Sequence, residues 1–500
     1  MTGHPRPSVA IIGAGFGGMA AAVALRQAGF DDITIIERAD GVGGTWRSNT
    51  YPGAACDVQS HLYSLSFAPN REWSRTYARQ PEILAYLESV ADDFDLRRHL
   101  RLGTGVRRAH WREDEDRWQL ELEFPGGQER SDPGTDSAGT ETLSSDVVVS
   151  AVGLFAAPRL PELEGLADFT GPLVHTSRWD DTISWAGMRV AVIGTGASGV
   201  QVIPELADVA AKVTVFQRTP PWMVPKDDRY FSAEELERFR DDPAAAAAER
   251  DRIWHEFHVN TSVAADDPLV AGRQGYAKAF LDAQVADEAL RAELTPDYPF
   301  RCKRVLLGDG YYQALQRDHV ELISDPILRI TERAIETASG RRIEVDVIVL
   351  ATGFETSQYL SGLDVIGTDG RSLHDEWGDD PRAYLGVAVH GYPNFFMLYG
   401  PNTNQGGNSI VYVLEAAAEL VVDAVRRLAR SGGSLEVSAA AQVRFNARID
   451  AELDRSVWTK CDSYFRSPSG RIVTQWPYTE LEYARATARL RDDDWAHRTR

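Results

Sequence analysis

Short apolar runs recur along this chain, each closed by glycine, and they come in matching pairs. Val9-Ala-Ile-Ile12 leads into Gly13-Ala-Gly-Phe-Gly-Gly18, and an alanine-rich stretch follows over residues 19–28. Val190-Ala-Val-Ile193 leads into Gly194-Thr-Gly-Ala-Ser-Gly199. Apolar runs without polar alternation predict strands buried on both faces, as in a parallel sheet. A further strand is predicted after each turn, at residues 33–36 and 213–216. Asp146-Val-Val-Val-Ser-Ala-Val-Gly153 and Asp346-Val-Ile-Val-Leu-Ala-Thr-Gly353 form a third pair. Each predicts a buried strand ending in small residues, where backbone can lie close to a ligand. They are read as two crossings between domains, with the second nucleotide unit inserted into the first.

The rest of the pattern is less regular. Residues 81–91 have helical periodicity. Strands predicted at 106–111 and 118–124 flank an acidic turn. Residues 125–145 are rich in Gly, Ser, Thr and Asp and predict an exposed loop. Residues 232–293 are charged, alanine-rich and helical in pattern. They interrupt the second unit, either covering a substrate pocket or decorating the surface. A strand at 395–399, a glycine-rich turn and a helix over 410–430 complete the first unit.

Each glycine cluster has the strand–turn–helix setting of GxGxxG. Bare glycines there let backbone approach a pyrophosphate at a helix N-terminus. The strand after the first cluster ends in Glu37, an acid suited to a free ribose 2′-hydroxyl. The strand after the second ends in Gln217-Arg218-Thr219, with no acid and a cation suited to a 2′-phosphate. Glu37 stands as far beyond Gly13 as Arg218 stands beyond Gly194. The pairing predicts FAD on the first unit, held by Gly13, Gly15, Gly18 and Glu37. It predicts NADPH on the second, held by Gly194, Thr195, Gly196, Ser198, Gly199, Gln217, Arg218 and Thr219.

The expected fold class is therefore α/β: two doubly wound dinucleotide-binding domains, glutathione-reductase-like, with a helical insertion. The FAD domain takes residues 1–155 and 346–500. The NADPH domain takes 156–345, with the insertion at about 230–295.

Composition narrows the setting. Five hundred residues exceed one compact core. The net charge of −21 argues against nucleic acid and anionic membranes as partners and favours solubility. Cys56, Cys302 and Cys461 show no metal spacing and no disulfide framework, which fits a reducing cytoplasm. No metal is expected. No signal peptide is visible, and the apolar stretch 410–422 is broken by Glu415 and Glu419, so no membrane span is expected.

Three further strings carry chemistry. Gly43-Gly44-Thr45-Trp46 and Tyr51-Pro-Gly-Ala-Ala-Cys-Asp57 combine glycines, an aromatic and an acid, which suits backbone wrapped around a flat ring system. Phe169-Thr-Gly-Pro-Leu-Val-His175-Thr-Ser-Arg-Trp179-Asp180 matches FxGxxxHxxxW[PD] at every fixed position. With it the chain resembles the flavin-dependent Baeyer–Villiger monooxygenases. The related N- and S-oxygenating flavin monooxygenases share the Phe, Gly and His but usually lack the Trp-Pro/Asp ending. Residues 44–57, the string Val213-Thr-Val-Phe-Gln-Arg-Thr-Pro-Pro-Trp222 and Gly400-Pro-Asn-Thr-Asn404 are similar to that family too.

The resemblance implies a reaction. NADPH reduces FAD, and the reduced flavin combines with oxygen to give a C4a-peroxyflavin, which converts a ketone to an ester or lactone. The peroxide must be an anion, so it needs a fixed cation and a site closed to water. The family places an arginine over the flavin, held by an acid. Here Arg304, in Lys303-Arg304, and Asp57 match those positions, with Lys303 joining Arg218 and Thr219 on the 2′-phosphate. Gly44, Thr45, Trp46, Tyr63 and Val106 are implied as further FAD contacts. His175 has no adjacent acid to orient it as a base, so it is read, with Phe169 and Trp179, as packing the interdomain linker. In Trp458-Thr-Lys-Cys-Asp-Ser-Tyr464-Phe465, relatives often have Gly before the Cys and Trp-Tyr after the Ser. That loop is often near the nicotinamide or the pocket mouth. The first alternative is an N- or S-oxygenating monooxygenase. The second is a flavin or disulfide reductase, against which stands the lack of a CxxC pair. A non-catalytic nucleotide-binding protein fits least.

Overall fold

The computed structural model describes residues 6–124, 141–258 and 263–499, and two parallel sheets organise it. The first runs Phe395–Met397, Val147–Ser150, Val9–Ile12, Ile33–Ile36, Leu100–Arg101 from edge to edge. The second runs Val320–Ile323, Lys212–Phe216, Arg189–Ile193, Val347–Leu350, Leu173–His175. Every neighbouring pair in both is parallel. Val9–Ile12, Val147–Ser150 and Val347–Leu350 are buried at every residue, as strands covered on both faces must be.

Helix Phe16–Gln27 packs on helix Ile410–Ser431 across the first sheet. Its buried Gly17, Gly18, Ala20, Ala21 and Ala22 set the spacing. A Cβ added at Gly17 would stand 3.4 Å from the Leu414 side chain.

The two nucleotide units repeat one joint. Gly13 has φ +106°, and a Cβ there would meet the Ala151 carbonyl oxygen at 2.7 Å. Gly194 has φ +108° and faces the Ala351 carbonyl oxygen at 2.5 Å. Each glycine turn thus rests on the alanine that ends a crossing strand, and only glycine combines that φ with that approach. The crossings themselves lie side by side. Arg159 N–H donates to Gly353 O at 2.8 Å, and Glu355 N–H donates to Ala157 O at 3.0 Å.

The structure departs from the sequence reading in two places. Val347–Leu350, assigned by pattern to the returning first domain, lies in the second sheet beside Arg189–Ile193. A fully apolar run suits the centre of either sheet, so its pattern carries no choice between them. Of the loop expected over 125–145, residues 125–140 lie outside the described residues, and Glu141–Ser145 is a strand antiparallel to Arg117–Glu123. It is an edge strand, half-buried and polar, and so lacks the alternation that marks a covered one.

The insertion is helical as expected: Ala233–Asp241, Pro243–His258, Pro268–Gln284 and Glu288–Glu293. It bridges rather than decorates. Phe239, Ala246 and Ile253 join the core of the first unit, while Leu281, Val285 and Leu294 join that of the second. Among the described residues, no helix is long and apolar enough to cross a membrane, and no group of His, Cys, Asp and Glu is set to hold a metal.

Candidate active site

The helix N-termini at both glycine clusters stand open. Helices Phe16–Gln27 and Ala197–Ala207 begin after Gly15 and Gly196, with no side-chain cap and no acid in the first turn. Elsewhere Ser232, Asp267, Ser409, Ser438 and Thr479 cap the helices that follow them. An uncapped N-terminus leaves N–H groups and the positive end of the helix dipole to an anion. Around Gly196 a Cβ would meet nothing within 4 Å, and at Gly15 it would meet only the Gly44 backbone, at 3.6 Å. Both turns have the room and the donors that a dinucleotide pyrophosphate needs.

The residues beyond each turn also fit. Glu37 is buried, and its two carboxylate oxygens accept from Ala14 N–H and Ala39 N–H, both at 2.8 Å. Its remaining lone pairs face the end of the strand, where ribose hydroxyls would donate. Val106 lies two residues past Thr104, whose N–H donates to the Glu37 carbonyl. In the second unit Gln217 is buried, with its Nε2 donating to Glu293 O and its Oε1 left without a partner. Thr195 and Thr219 come together, Oγ1 of the first donating to the carbonyl of the second at 3.5 Å. Arg218 is exposed. Burial, and after it the nearby Arg218 guanidinium, pull the Lys303 ammonium below its ordinary pKa. Neither cation forms an ion pair among the described residues. Two converging, unpaired cations are what a 2′-phosphate would neutralise.

The segment from Tyr51 to Asp57 reaches across to the second unit. The Tyr51 hydroxyl donates to Gln201 Oε1 at 2.7 Å and lies against Ser198. Gln201 Nε2 donates to Ala55 O at 3.0 Å. This stretch of the first unit therefore grips the nucleotide helix of the second, Ala197–Ala207. The preceding Gly44-Thr45-Trp46 turn stays beside the first glycine cluster. Trp46 Nε1 donates to the Tyr63 hydroxyl at 3.1 Å, and Tyr63 packs edge-on against Phe16 at 5.0 Å.

Asp57 ends that gripping segment, and its partner comes from the other unit. Arg304 forms an ion pair with Asp57. Their side chains are 38% and 27% exposed, so the pair is partly open to solvent rather than sealed in a core. Asp57 outweighs the cost of burial and holds the Arg304 guanidinium above its ordinary range. Burial pushes the Asp57 carboxyl up, but Arg304 and then Lys226 prevail and keep it below the usual carboxylate range. The arginine is positioned by its loop. Leu306–Leu307 pairs with Met223–Val224, and Trp222 Nε1 donates to Tyr298 O at 2.7 Å. The string that carries Arg218 and Thr219 thus also docks Lys303 and Arg304.

Three residues near the pair escaped the sequence reading. The Tyr464 and Tyr399 phenols flank Arg304, whose charge pulls against the burial that raises both. Lys226 is largely buried, its ammonium 5.0 Å over the Tyr77 ring, and its charge reaches Asp57. Tyr464 lies in the string already singled out at 458–465, and Tyr399 directly precedes Gly400-Pro-Asn-Thr-Asn404. Lys226 belongs to no pattern.

His175 is buried and serves the linker. Its Nε2 donates to Gly353 O at 3.1 Å, and its Nδ1 accepts from Ser177 N–H at 3.1 Å. Burial holds its pKa below the ordinary value. A neutral imidazole with both nitrogens engaged ties the end of strand Leu173–His175 to the crossing at Gly353. Trp179 stacks on Trp185 at 4.6 Å against the second core, and Phe169 packs on the opposite face of that sheet. The cysteine reading needs correction: Cys302 and Cys461 are joined as a disulfide, and Cys56 is free and buried. The partners lie 159 residues apart, and sequence spacing cannot reveal a pairing formed by the fold.

Comparison with known proteins agrees with this geometry. The family described as pyridine nucleotide-disulphide oxidoreductase matches residues 7–242. A Baeyer–Villiger monooxygenase of Streptomyces coelicolor is 40% identical over 492 residues, covering 97% of this chain and 92% of the relative. The closed crystal structure of a cyclohexanone monooxygenase superposes with TM-score 0.86 at 30% identity, covering 99% of both chains. The crystal structure of OTEMO in complex with FAD and NADP superposes with TM-score 0.84 at 30% identity, covering 97% of both.

Proposed function

This chain belongs to the Baeyer–Villiger monooxygenase family, and from that premise we propose that it inserts one atom of dioxygen into a ketone to give an ester or lactone. FAD binds the first unit and NADPH the second. We place the FAD unit at 1–155 together with the chain from 351 onward, and the NADPH unit between them. Bound FAD, reduced by NADPH, supplies the activated oxygen.

The observation that carries the reading is the Arg304–Asp57 pair, one partner from each unit, partly open to solvent. Oxygen transfer to a carbonyl carbon needs negative charge on the attacking oxygen. Arg304 keeps its own charge at any working pH and cannot give that oxygen a proton readily. Asp57 fixes the guanidinium plane, so the cation does not have to reorient as charge develops. Gly15 and Gly44 admit the FAD pyrophosphate, and Glu37 takes the ribose. Arg218, Thr219 and Lys303 take the 2′-phosphate that separates NADPH from NADH.

The test is a product panel. The purified holoenzyme is given NADPH, oxygen and cyclic, aliphatic, aromatic and steroidal ketones, with amines and sulfides alongside. Ester or lactone from at least one ketone class is expected. Oxygenation of the amines or sulfides alone would replace this reading with the N- or S-oxygenating one.

A further inference from the structure

The Cys302–Cys461 bond joins the loop that carries Lys303 and Arg304 to the loop that carries Tyr464. Cys302 is fully buried and directly precedes Lys303-Arg304. Cys461 is partly exposed and stands three residues before Tyr464, whose phenol lies against Arg304. The Cα atoms are 6.0 Å apart, within disulfide reach. Between the buried Trp458 and Phe465, the chain at 460–464 is irregular, with Lys460 and Asp462 exposed and the other three residues half-buried. Tyr464 O accepts from Thr356 Oγ1 at 2.8 Å, which ties this segment to the crossing. Towards the Arg304 loop, the described attachments are the disulfide, the Tyr464 phenol on Arg304 and the attraction between Asp462 and Lys303.

We propose that the Cys302–Cys461 pair is a redox tether. Closed, it holds the 460–464 segment over Arg304 and keeps water from the reacting centre. Open, it leaves that segment joined to the Arg304 loop by one phenol and the attraction of exposed Asp462 for Lys303, and activated oxygen is lost as hydrogen peroxide. The proposal rests on the monooxygenase reading for the source of that peroxide.

The chemistry closes on itself. The accessible Cys461 thiolate attacks hydrogen peroxide. A sulfur–oxygen bond forms, the oxygen–oxygen bond breaks, and hydroxide leaves as water. The Cys302 thiol then attacks the Cys461 sulfur. The disulfide forms, the sulfur–oxygen bond breaks, and a second water leaves. Two thiols and one peroxide become one disulfide and two waters. In reverse, a dithiol attacks Cys461, releases Cys302 and is itself oxidised to its disulfide. Peroxide leaking from an open site thus closes the tether that stops the leak.

The experiment divides one holoenzyme preparation into three parts: peroxide-treated, reduced with dithiothreitol and desalted, and reduced then re-oxidised with peroxide. Free thiols are counted after denaturation, and peroxide released is measured per NADPH oxidised. The expected counts are one, three and one, the constant thiol being Cys56. The peroxide fraction should rise on reduction by roughly threefold or more, far below the hundredfold that a misplaced reacting group can cost, and fall again on re-oxidation. Cys461→Ser should stay at the reduced value whatever the treatment. Three thiols after peroxide treatment, or one peroxide fraction in all three parts, would overturn the tether. The wild-type comparison decides this even should the variant fail to fold. A protein that makes no ester in any state but still shifts its thiol count and peroxide fraction would support the tether and defeat the activity reading.

Discussion

Arg304 and Asp57 come from different units and meet because each sits on a segment that binds the other side. Single residues divide by function in the same way. Arg218 is exposed and has no ion-pair partner among the described residues, so its removal costs the fold little. Arg218→Ala should raise KM for NADPH far more than for NADH, losing on the order of 1.5–3 kcal/mol of charge-assisted contact. Steady-state kinetics with both nucleotides check this, and equal use of the two by wild type would contradict the assignment. Arg218 was legible because it stands where another strand has an acid, whereas Arg304 and its pairing with Asp57 were reached through the family resemblance, since a Lys-Arg pair by itself reads as a surface feature. Tyr399, Tyr464 and Lys226 were not legible, because a lone tyrosine or lysine has no periodicity and gains meaning only when the fold sets it beside a charge. The disulfide was hidden for the same reason.

The glycine turns show how an element carries both fold and ligand. Gly13 is closed against the Ala151 carbonyl, so its substitution attacks the fold. Gly196 is open, and a Cβ there meets no atom within 4 Å, in the space we propose for the nucleotide. Gly196→Val should melt like wild type, remain yellow with bound FAD and lose NADPH binding. Gly15→Val should instead give folded, colourless protein, since its nearest neighbour stands at ordinary contact distance. Absorbance of bound flavin and titration with NADPH separate the two. A Gly196→Val protein that binds NADPH normally would move the site elsewhere. At this scale the sequence was informative: apolar runs gave the inner strands, and GxGxxG gave both turns with their helices. It failed at Glu141–Ser145, where an edge position removes the apolar face, and at Val347–Leu350, where a strand is clear but its sheet is not.

Across the whole molecule, the helical insertion and the crossings hold the two units in register. His61 sits where the insertion meets the first unit, 4.4 Å from the Phe239 ring and 5.4 Å from Phe231, with neither ring nitrogen hydrogen-bonded. Burial brings its pKa down to about 4, from about 6.5 in an unfolded chain. Between those values the unfolded state takes up a proton that the native state refuses. Stability therefore rises with pH across that window and is lost as pH falls, by on the order of 3 kcal/mol in total. Melting of the holoenzyme between pH 7 and 4.5 should show the loss, and His61→Leu should flatten it; an unchanged slope would remove His61 as its cause. The central claim is that the ion pair across the units separates oxygen insertion from cofactor reduction. Its most direct measurement follows NADPH, ester and hydrogen peroxide together in wild type and Arg304→Ala. The variant should keep its FAD and some NADPH oxidation while ester falls by roughly a hundredfold or more, the scale of losing a fixed partner to a developing anion, and peroxide takes its place. Asp57→Ala should show a milder form of the same defect. An Arg304→Ala enzyme that still turned ketone into ester at near wild-type rate would contradict the account.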